Sequence, residues 1–233
     1  MLTLPDRVLV IVAHPDDAEA AAGGTVAKFV HEGAQVAFCI VTNGDKGSGD
    51  RTMTPERLTT IRQAEQRNAA RILGVESIEF LGFPDCEVEN TLESRRAVTA
   101  AIRRHRPDLI LTQNPNRTKR LGASHRDHRI VGGIALDCVS PLARDHMAFP
   151  ELLAQGLEPH TVKEVQLMVW ENPELVVDIS GTIDLKIAAL ACHVSQVPDR
   201  VALDRSVRER HGRFGQIQGY RYAELFARMD VVR

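Results

Sequence analysis

Several features that mark secreted, membrane-spanning or zinc-finger proteins are missing from this sequence of 233 residues. Its four cysteines are far apart and form no Cys-x-x-Cys pair, which is typical of reduced structural thiols rather than of a disulfide framework. No apolar run is long enough to cross a membrane. The first apolar segment begins within about six residues of the N-terminus, without the pattern of a signal peptide. We therefore expect a cytoplasmic protein.

Basic clusters and nucleotide-binding motifs are also scarce. The net charge is −2, and the only basic block, RRHR at 103–106, is expected to end a helix, so nucleic acid is not an expected partner. Neither the phosphate-binding GxxxxGK[ST] motif nor the GxSxG elbow of serine hydrolases occurs. Hydrophobic residues make up 43% and charged residues 26%, which is ordinary for a globular protein.

Strand and helix patterns alternate along the chain. Strands are predicted over 7–13, 35–41, 77–80, 108–112, 165–170 and 175–179. Helices are predicted over 17–31, 55–73, 92–105 and 183–194, from near Asp127 onward, and in two C-terminal segments. This order predicts an α/β fold, a Rossmann-like three-layer sandwich with a mostly parallel sheet. No repeat or linker divides the chain, so we expect one domain over 1–233, with 141–159 as its least regular stretch.

The first chemically informative segment is AHPDDAE (13–19), which directly follows the apolar run VLVIV (8–12). A buried strand that ends there places an imidazole and two carboxylates at the edge of the sheet where open α/β folds keep their active sites. Imidazole and carboxylate are ligands that zinc accepts. Taken alone, the segment could equally form a turn and a helix cap, because proline and aspartate favour both.

The second informative segment, SHRDHR (124–129), follows the predicted strand 108–112 after a polar loop over 113–124. In a parallel sheet this loop emerges at the same edge as the first segment, so the two segments are expected to meet. His14, Asp17 and His128 would then supply two nitrogens and one oxygen. Three protein ligands are typical of a catalytic zinc site, since structural sites usually have four.

Roles for the neighbouring groups follow by elimination. Asp16 adjoins a ligand and could take a proton from water as general base. His125 lies one helical turn before His128 and could stabilise a developing oxyanion or protonate the leaving group. Asp127 could orient one of the histidines.

Other positions leave two interpretations open. The Gly-rich loop over 44–49 is either a flexible cover of a pocket or a plain surface loop. Arg62 lies on a helix where most charges are simply solvated, and Asp85 lies in a turn that could serve structure or substrate. His193 is either packed at a helix end or part of the lining of a substrate pocket.

With these residues in place, the chain resembles the LmbE-like, or PIG-L, deacetylase family. The resemblance rests on AHPDD (13–17) and HRDH (125–128). Supporting matches are TNG (42–44), RQAE (62–65), LGFPD (81–85), VDIS (177–180), Lys186 and HVSQ (193–196). The chain departs from the family pattern at Arg126, where proline is common, and at Ala18, which comes before Glu19. Arg126 would bring a cation to the mouth of the pocket and favour an anionic substrate.

The resemblance implies a zinc-dependent amidase that removes acetyl from N-acetylglucosamine units. It implies the same zinc ligands and general base as above, and substrate contacts for Arg62 and Asp85. Iron(II) or another first-row metal would suit the same ligands. The alternatives are hydrolysis of a larger amide conjugate, a non-catalytic metal- or nucleotide-binding module, and a phosphoesterase with a hard metal. The sequence leaves open which N-acetylated sugar is used and whether the chain forms a homo-oligomer.

Overall fold

A computed structural model describes residues 4–116 and 125–231 of the chain. Within these residues seven strands form one sheet. They are β1 (Arg7–Val12), β2 (Gln35–Thr42), β3 (Ser77–Phe83), β4 (Leu109–Gln113), β5 (Glu164–Met168), β6 (Leu175–Asp178) and β7 (Ala223–Asp230). Their spatial order is β3-β2-β1-β4-β5-β7-β6.

Seven α-helices connect or flank these strands in the described part of the chain. They are α1 (Asp17–His31), α2 (Pro55–Leu73), α3 (Leu92–His105), α4 (Arg126–Asp137), α5 (Pro150–Ala154), α6 (Ile183–Leu190) and α7 (Arg200–Gly215). The start and end of α2 follow from local chemistry. Thr54 accepts a hydrogen bond from the Arg57 amide, Pro55 begins the helix, and Gly74 ends it with a φ of 76°.

The first five strands of the sheet, from β3 to β5, pair in parallel. At the other side β7 pairs antiparallel with both β5 and β6. The prediction of a mostly parallel α/β sheet is therefore confirmed. From β1 the chain continues to β2, which pairs with one side of β1, whereas β4 pairs with the other side. In open sheets of this kind the crevice at such a reversal binds ligands.

Alternate residues of β1 enter two separate cores, one on each face of the sheet. Val8, Val10 and Val12 pack in the core that also contains residues of α1, α2, α6 and α7. Leu9 and Ile11 pack in the core formed with α3 and α4. Helices on both faces of a central sheet make the three layers that the alternating sequence pattern predicted.

Close packing of α1 depends on its two glycines. A Cβ atom added at Gly24 would lie 2.8 Å from the Ile179 side chain, and one at Gly23 would lie 3.3 Å from Cγ of Lys186. The two glycines therefore allow the segment that follows β6, together with α6, to pack closely against α1.

One predicted helix is wrong. Of the two C-terminal segments expected to be helical, the first is α7, but the second is strand β7. Its sequence AELFARMD is rich in helix-forming residues, yet its position between β5 and β6 gives its backbone two hydrogen-bonded neighbours. Tertiary pairing thus overrides local propensity.

Smaller differences concern the ends of elements. β3 continues three residues beyond the predicted 77–80, and α6 ends at Leu190 rather than at 194. The stretch over 141–159 contains α5 and part of a π-helical turn, Cys138–Leu142. Of the predicted loop over 113–124, residues 117–124 lie outside the described residues. Among the described helices, none has the length and apolar character needed to span a membrane.

Candidate metal centre

The two His/Asp segments meet at the carboxyl ends of β1 and β4, as the sequence predicted. His14 Nδ1 lies 3.2 Å from Asp17 Oδ2. His128 Nε2 lies 3.3 Å from His14 Nδ1 and 3.1 Å from Asp17 Oδ1. Asp17 is the first residue of α1, and His128 lies in the first turn of α4. Two imidazole nitrogens and a carboxylate thus converge from three elements, a donor set that suits a divalent zinc-like metal.

The other nitrogen of the His14 ring faces two more carboxylates. His14 Nε2 lies 3.0 Å from Asp85 Oδ1 and 3.4 Å from Asp127 Oδ2. Burial alone would lower the pKa of His14, but hydrogen bonds with Asp127, Asp17 and Asp85 raise it to about 12. Three carboxylates around one imidazole ring give this site the electrostatics required of a cation site. The Asp127 and Asp85 contacts also fix the orientation of the ring.

The carboxylates of this cluster stay ionised. Burial acts to raise the pKa of Asp17, but the neighbouring His128 and His14 hold it well below its usual range. Burial likewise opposes ionisation of Asp85 and Asp127, and the hydrogen bond that each makes with His14 lowers the pKa of both groups. Ionised carboxylates are the form that binds a metal or orients a histidine.

Asp16 is held in an unusual backbone conformation, with φ at 98° and ψ at −23°. Such a left-handed conformation costs a residue other than glycine on the order of 1–3 kcal/mol. Although Asp16 is the N-cap of α1, its side chain makes no capping hydrogen bond. Instead, Asp16 Oδ2 accepts a hydrogen bond of 3.0 Å from Arg62 Nη2. Burial and the charge of Asp17 raise the pKa of Asp16 to about 6, against the opposing effect of Arg62.

Arg62 is almost fully buried, with 4% of its surface exposed. Besides Asp16, it donates to the carbonyls of Pro15 at 2.5 Å and Gly44 at 2.9 Å. A Cβ atom at Gly44 would lie 2.4 Å from this guanidinium, and the φ of Gly44 is 61°, so both space and conformation require glycine there. The start of the Gly-rich loop is therefore packed against the site.

His125 is the N-cap of α4, and its Nδ1 accepts a hydrogen bond of 3.2 Å from the Asp127 amide. A neutral imidazole that accepts at Nδ1 carries its proton on Nε2. Burial lowers the pKa of His125, and the charges of His14 and His128 lower it further, which favours this neutral form. The His125 ring centroid lies 4.9 Å from that of His14. His125 thus brings an N–H donor to the edge of the cluster.

Two glutamines of the site were not predicted. Gln113, the last residue of β4, accepts from the Ala13 amide at 3.0 Å and donates to Asp17 Oδ2 at 2.9 Å. Gln66, on α2, accepts from the Asp16 amide at 2.9 Å. The position of Gln113 at the carboxyl end of a buried strand is a signal that the sequence offers, whereas Gln66 gives none.

The three predicted substrate contacts occupy buried positions. Arg62 contacts Asp16 and Asp85 contacts His14, as described above. His193 is fully buried, and its Nε2 lies 3.5 Å from Glu19 Oε2. Contact of these side chains with substrate stays a prediction.

Arg126 does not bring a free cation to the pocket, contrary to expectation. It forms an ion pair with Glu89, another with Asp127 at 3.1 Å, and a hydrogen bond of 2.7 Å to the Val88 carbonyl. Its charge is matched by these carboxylates, which removes the argument that it favours an anionic substrate.

Comparison with known proteins gives consistent matches. The family model described as "PIG-L: GlcNAc-PI de-N-acetylase" matches residues 9–139. The chain is 33% identical over 220 residues to diacetylchitobiose deacetylase of Thermococcus kodakarensis, covering 94% of this chain and 81% of the relative. It is 27% identical to 1D-myo-inositol 2-acetamido-2-deoxy-alpha-D-glucopyranoside deacetylase of Mycobacteroides abscessus, covering 82% and 81% of the two chains.

A solved structure agrees with these sequence matches. N,N'-diacetylchitobiose deacetylase from Pyrococcus horikoshii, in complex with an inhibitor, superposes with a TM-score of 0.90 at 30% identity. The match covers 97% of this chain and 84% of that one. These relatives are N-acetylglucosamine-type deacetylases. The family match, the fold and the converging His/Asp motifs together show that this chain belongs to the PIG-L family.

Proposed function

We propose that this protein is a zinc-dependent deacetylase that hydrolyses the acetamide of an N-acetylglucosamine-type substrate, releasing acetate and a free amine. The observation that carries the proposal is the convergence of His14, Asp17 and His128, with the Asp16 carboxylate beside them. Mere metal binding would not require Asp16, which has a strained backbone and a pKa raised to about 6 by burial and by Asp17. The names of the relatives support the substrate class.

His14, Asp17 and His128 would hold the metal. The chemistry that a bound Zn²⁺ supplies is Lewis acidity, which polarises a carbonyl oxygen and acidifies water. His125 also has a nitrogen within 4.8 Å of nitrogens of His14 and His128. However, its Nδ1 is engaged by the Asp127 amide, so its Nε2 carries a proton and does not offer a lone pair. Asp17 is therefore the better third ligand.

Asp16 carries out the proton transfers, and His125 stabilises the negative charge that develops. With a pKa of about 6, Asp16 is largely ionised at neutral pH and accepts a proton from the attacking water. The water oxygen bonds to the acetyl carbon, and the carbonyl oxygen gains negative charge that the Nε2–H of His125 stabilises. When the C–N bond breaks, Asp16 returns the proton to the departing nitrogen.

Residues around the proposed metal ligands hold those ligands in place. Asp127 and Asp85 orient the His14 ring through Nε2, so that Nδ1 faces Asp17 and His128. Carboxylate partners of this kind both fix the ring and increase its basicity as a ligand. We infer that Asp127 acts in this way rather than by contacting substrate, since its side chain is fully buried.

A substrate panel tests the proposal. Zinc-loaded protein is incubated with N,N'-diacetylchitobiose, N-acetylglucosamine and larger amide conjugates, and released acetate is quantified beside a metal-depleted control. We expect metal-dependent acetate release from an N-acetylated sugar. Turnover of only the larger amides would favour the alternative amidase. A metal-loaded protein that hydrolyses none of them would contradict the deacetylase proposal and favour a binding module.

A further inference from the structure

Two side chains of α2 hold the peptide group between Pro15 and Asp16 at both of its ends. Arg62 Nη2 donates to the Pro15 carbonyl at 2.5 Å, and Gln66 Oε1 accepts from the Asp16 amide at 2.9 Å. Residues four apart on a helix lie on the same face, one turn above the other. Because the carbonyl and the amide belong to one planar peptide unit, the two contacts together fix the orientation of that plane.

The orientation of the Gln66 amide is itself determined by its surroundings. Gln66 is fully buried, and its Nε2 donates to Glu19 Oε1 at 2.6 Å. Glu19 is also fully buried. A backbone N–H only donates, so Gln66 must turn its oxygen toward Asp16, which leaves its nitrogen to donate to Glu19. Neither an apolar side chain nor a carboxylate at position 66 would satisfy both partners.

Asp16 needs such support because of its own backbone. Its φ of 98° is unfavourable for any residue other than glycine, and its side chain does not cap α1. A residue in this conformation persists only where its neighbours hold it there. Arg62 contacts the Asp16 carboxylate as well as the Pro15 carbonyl, whereas the described contacts of Gln66 reach Asp16 only through the backbone amide.

We propose that Gln66 is a positioning residue, which holds the strained Pro15–Asp16 peptide and so aims the Asp16 carboxylate at the reacting water. This inference rests on the proposed role of Asp16 as general base. It assigns to a buried glutamine of α2 a part in turnover, without any contact with metal or substrate. Glu19 fixes the direction of the Gln66 amide and belongs to the same arrangement.

The test compares Gln66→Leu in two backgrounds, each with zinc content measured. In the wild-type background we expect kcat to fall roughly 10- to 100-fold, as for a small misplacement of a reacting group. KM should change less than about threefold, since substrate binding is not involved. In the Asp16→Asn background the same substitution should lower the remaining kcat by less than about threefold, because the positioned carboxylate is already lost. An equal loss in both backgrounds would overturn the proposal.

A second measurement tests the hydrogen bond between the Asp16 amide and Gln66 without using activity. Hydrogen exchange at the Asp16 amide, followed by NMR, should be roughly tenfold faster in Gln66→Leu, because the described acceptor of that amide is removed. Gln63→Leu, on the same helix but with no hydrogen bond to Asp16 among the described residues, is the matched control and should leave both exchange and kcat unchanged. Unaltered exchange at Asp16 in Gln66→Leu would overturn the proposal.

A rescue experiment guards against simple loss of folding. In the double variant Gln66→Glu with Glu19→Gln, the new amide can donate to the new carboxylate, which still accepts from the Asp16 amide. We expect its kcat to exceed that of Gln66→Glu alone by roughly tenfold. No recovery, with both proteins folded and zinc-loaded, would count against the proposal. Wild-type turnover in Asp16→Asn alone would instead contradict the proposed function on which it rests.

Discussion

His14 Nδ1 and His128 Nε2 lie 3.3 Å apart, although the two histidines are 114 positions apart in the chain. The sheet accounts for this proximity. Ile11 of β1 pairs with Thr112 of β4, so the segments that follow these parallel strands emerge side by side. Two imidazole nitrogens at this distance, with the Asp17 carboxylate in contact with both rings, form a pocket that favours a cation.

Asp16→Asn should keep its metal and lose turnover. Asparagine is similar in shape but cannot accept the water proton, so we expect kcat to fall by roughly 10²- to 10⁴-fold. Zinc content, measured on the same preparation, should match that of the wild type. Asp50→Asn, at an exposed position in the Gly-rich loop region, is the control. Near-normal turnover in Asp16→Asn would rule out its role as general base.

Gln113→Leu should weaken metal binding. The substitution removes the hydrogen bond of 2.9 Å to Asp17 Oδ2 and the bond of 3.0 Å from the Ala13 amide, both of which fix the ligand and the strand end. Loss of such an outer contact typically costs 10- to 100-fold in metal affinity. Competition with a chelator measures the change, with the exposed Gln218→Leu as control. Equal affinities for Gln113→Leu and wild type would show that this orientation is unimportant.

His211 should make the stability of the protein depend on pH. Burial lowers the pKa of His211 to about 4, and the charge of Lys186 contributes, while His211 Nδ1 donates to the Ala223 carbonyl. Unfolded histidine has a pKa of about 6.5, so between about pH 6.5 and pH 4 the unfolded chain binds a proton that the folded protein excludes. The free energy of unfolding contributed by His211 is therefore complete above about pH 6.5 and falls as the pH decreases.

Urea unfolding of wild type and His211→Gln at two pH values measures this effect. Between about pH 7.5 and pH 5 the wild type should lose about 2 kcal/mol more of its free energy of unfolding than the variant does. A difference between the two proteins that stays constant over this range would show that His211 does not titrate as described.

Removal of one partner from the ion pair of Lys186 and Glu224 should strongly destabilise the fold. It is fully buried, with Nζ and Oε1 2.6 Å apart. Both partners also bind the backbone of α1, since Lys186 donates to the Glu19 carbonyl and Glu224 accepts from the Gly24 amide. Lys186→Met would leave Glu224 buried without its cation, which typically costs about 3–5 kcal/mol of stability.

Chemical denaturation of three variants separates this effect from ordinary loss of an ion pair. Lys186→Met combined with Glu224→Gln should be more stable than Lys186→Met alone, since no uncompensated charge remains. Lys163→Met, which breaks an exposed pair with Asp108, should cost less than about 1 kcal/mol. Similar losses in Lys186→Met and Lys163→Met would contradict the assigned importance of burial.

Local sequence signals predicted most of the helices and strands. The structure confirms the predicted bounds of α1, α2 and α3. Caps, prolines and helical periodicity act over a few residues, so the sequence displays them directly. β7 was missed because its strand partners are distant in sequence and its own residues favour a helix. The extent of a single domain over 1–233 and the cytoplasmic location stay predictions.

For the site, the sequence predicted which residues meet but not what holds them. His/Asp motifs after buried strands have a recognisable pattern, and sheet geometry brings them together. Gln66 and Gln113 form hydrogen bonds to residues 50 and 96 positions away in the chain. A single glutamine in a helix is too common to signal this. The strand-end position of Gln113 marks it as near the site but does not show its partners. Likewise, only the fold shows that the Arg126 charge is matched by Glu89 and Asp127.

The most direct test of the central claim is the metal content of purified wild type and His128→Ala, determined by elemental analysis. His146→Ala, an exposed histidine remote in sequence from both motifs, is the control. If the two motifs form one centre, wild type and control contain about one zinc or iron per chain, and His128→Ala loses it. Equal metal content in all three proteins, or none in any of them after addition of zinc, would contradict the joining of the two motifs into one metal site.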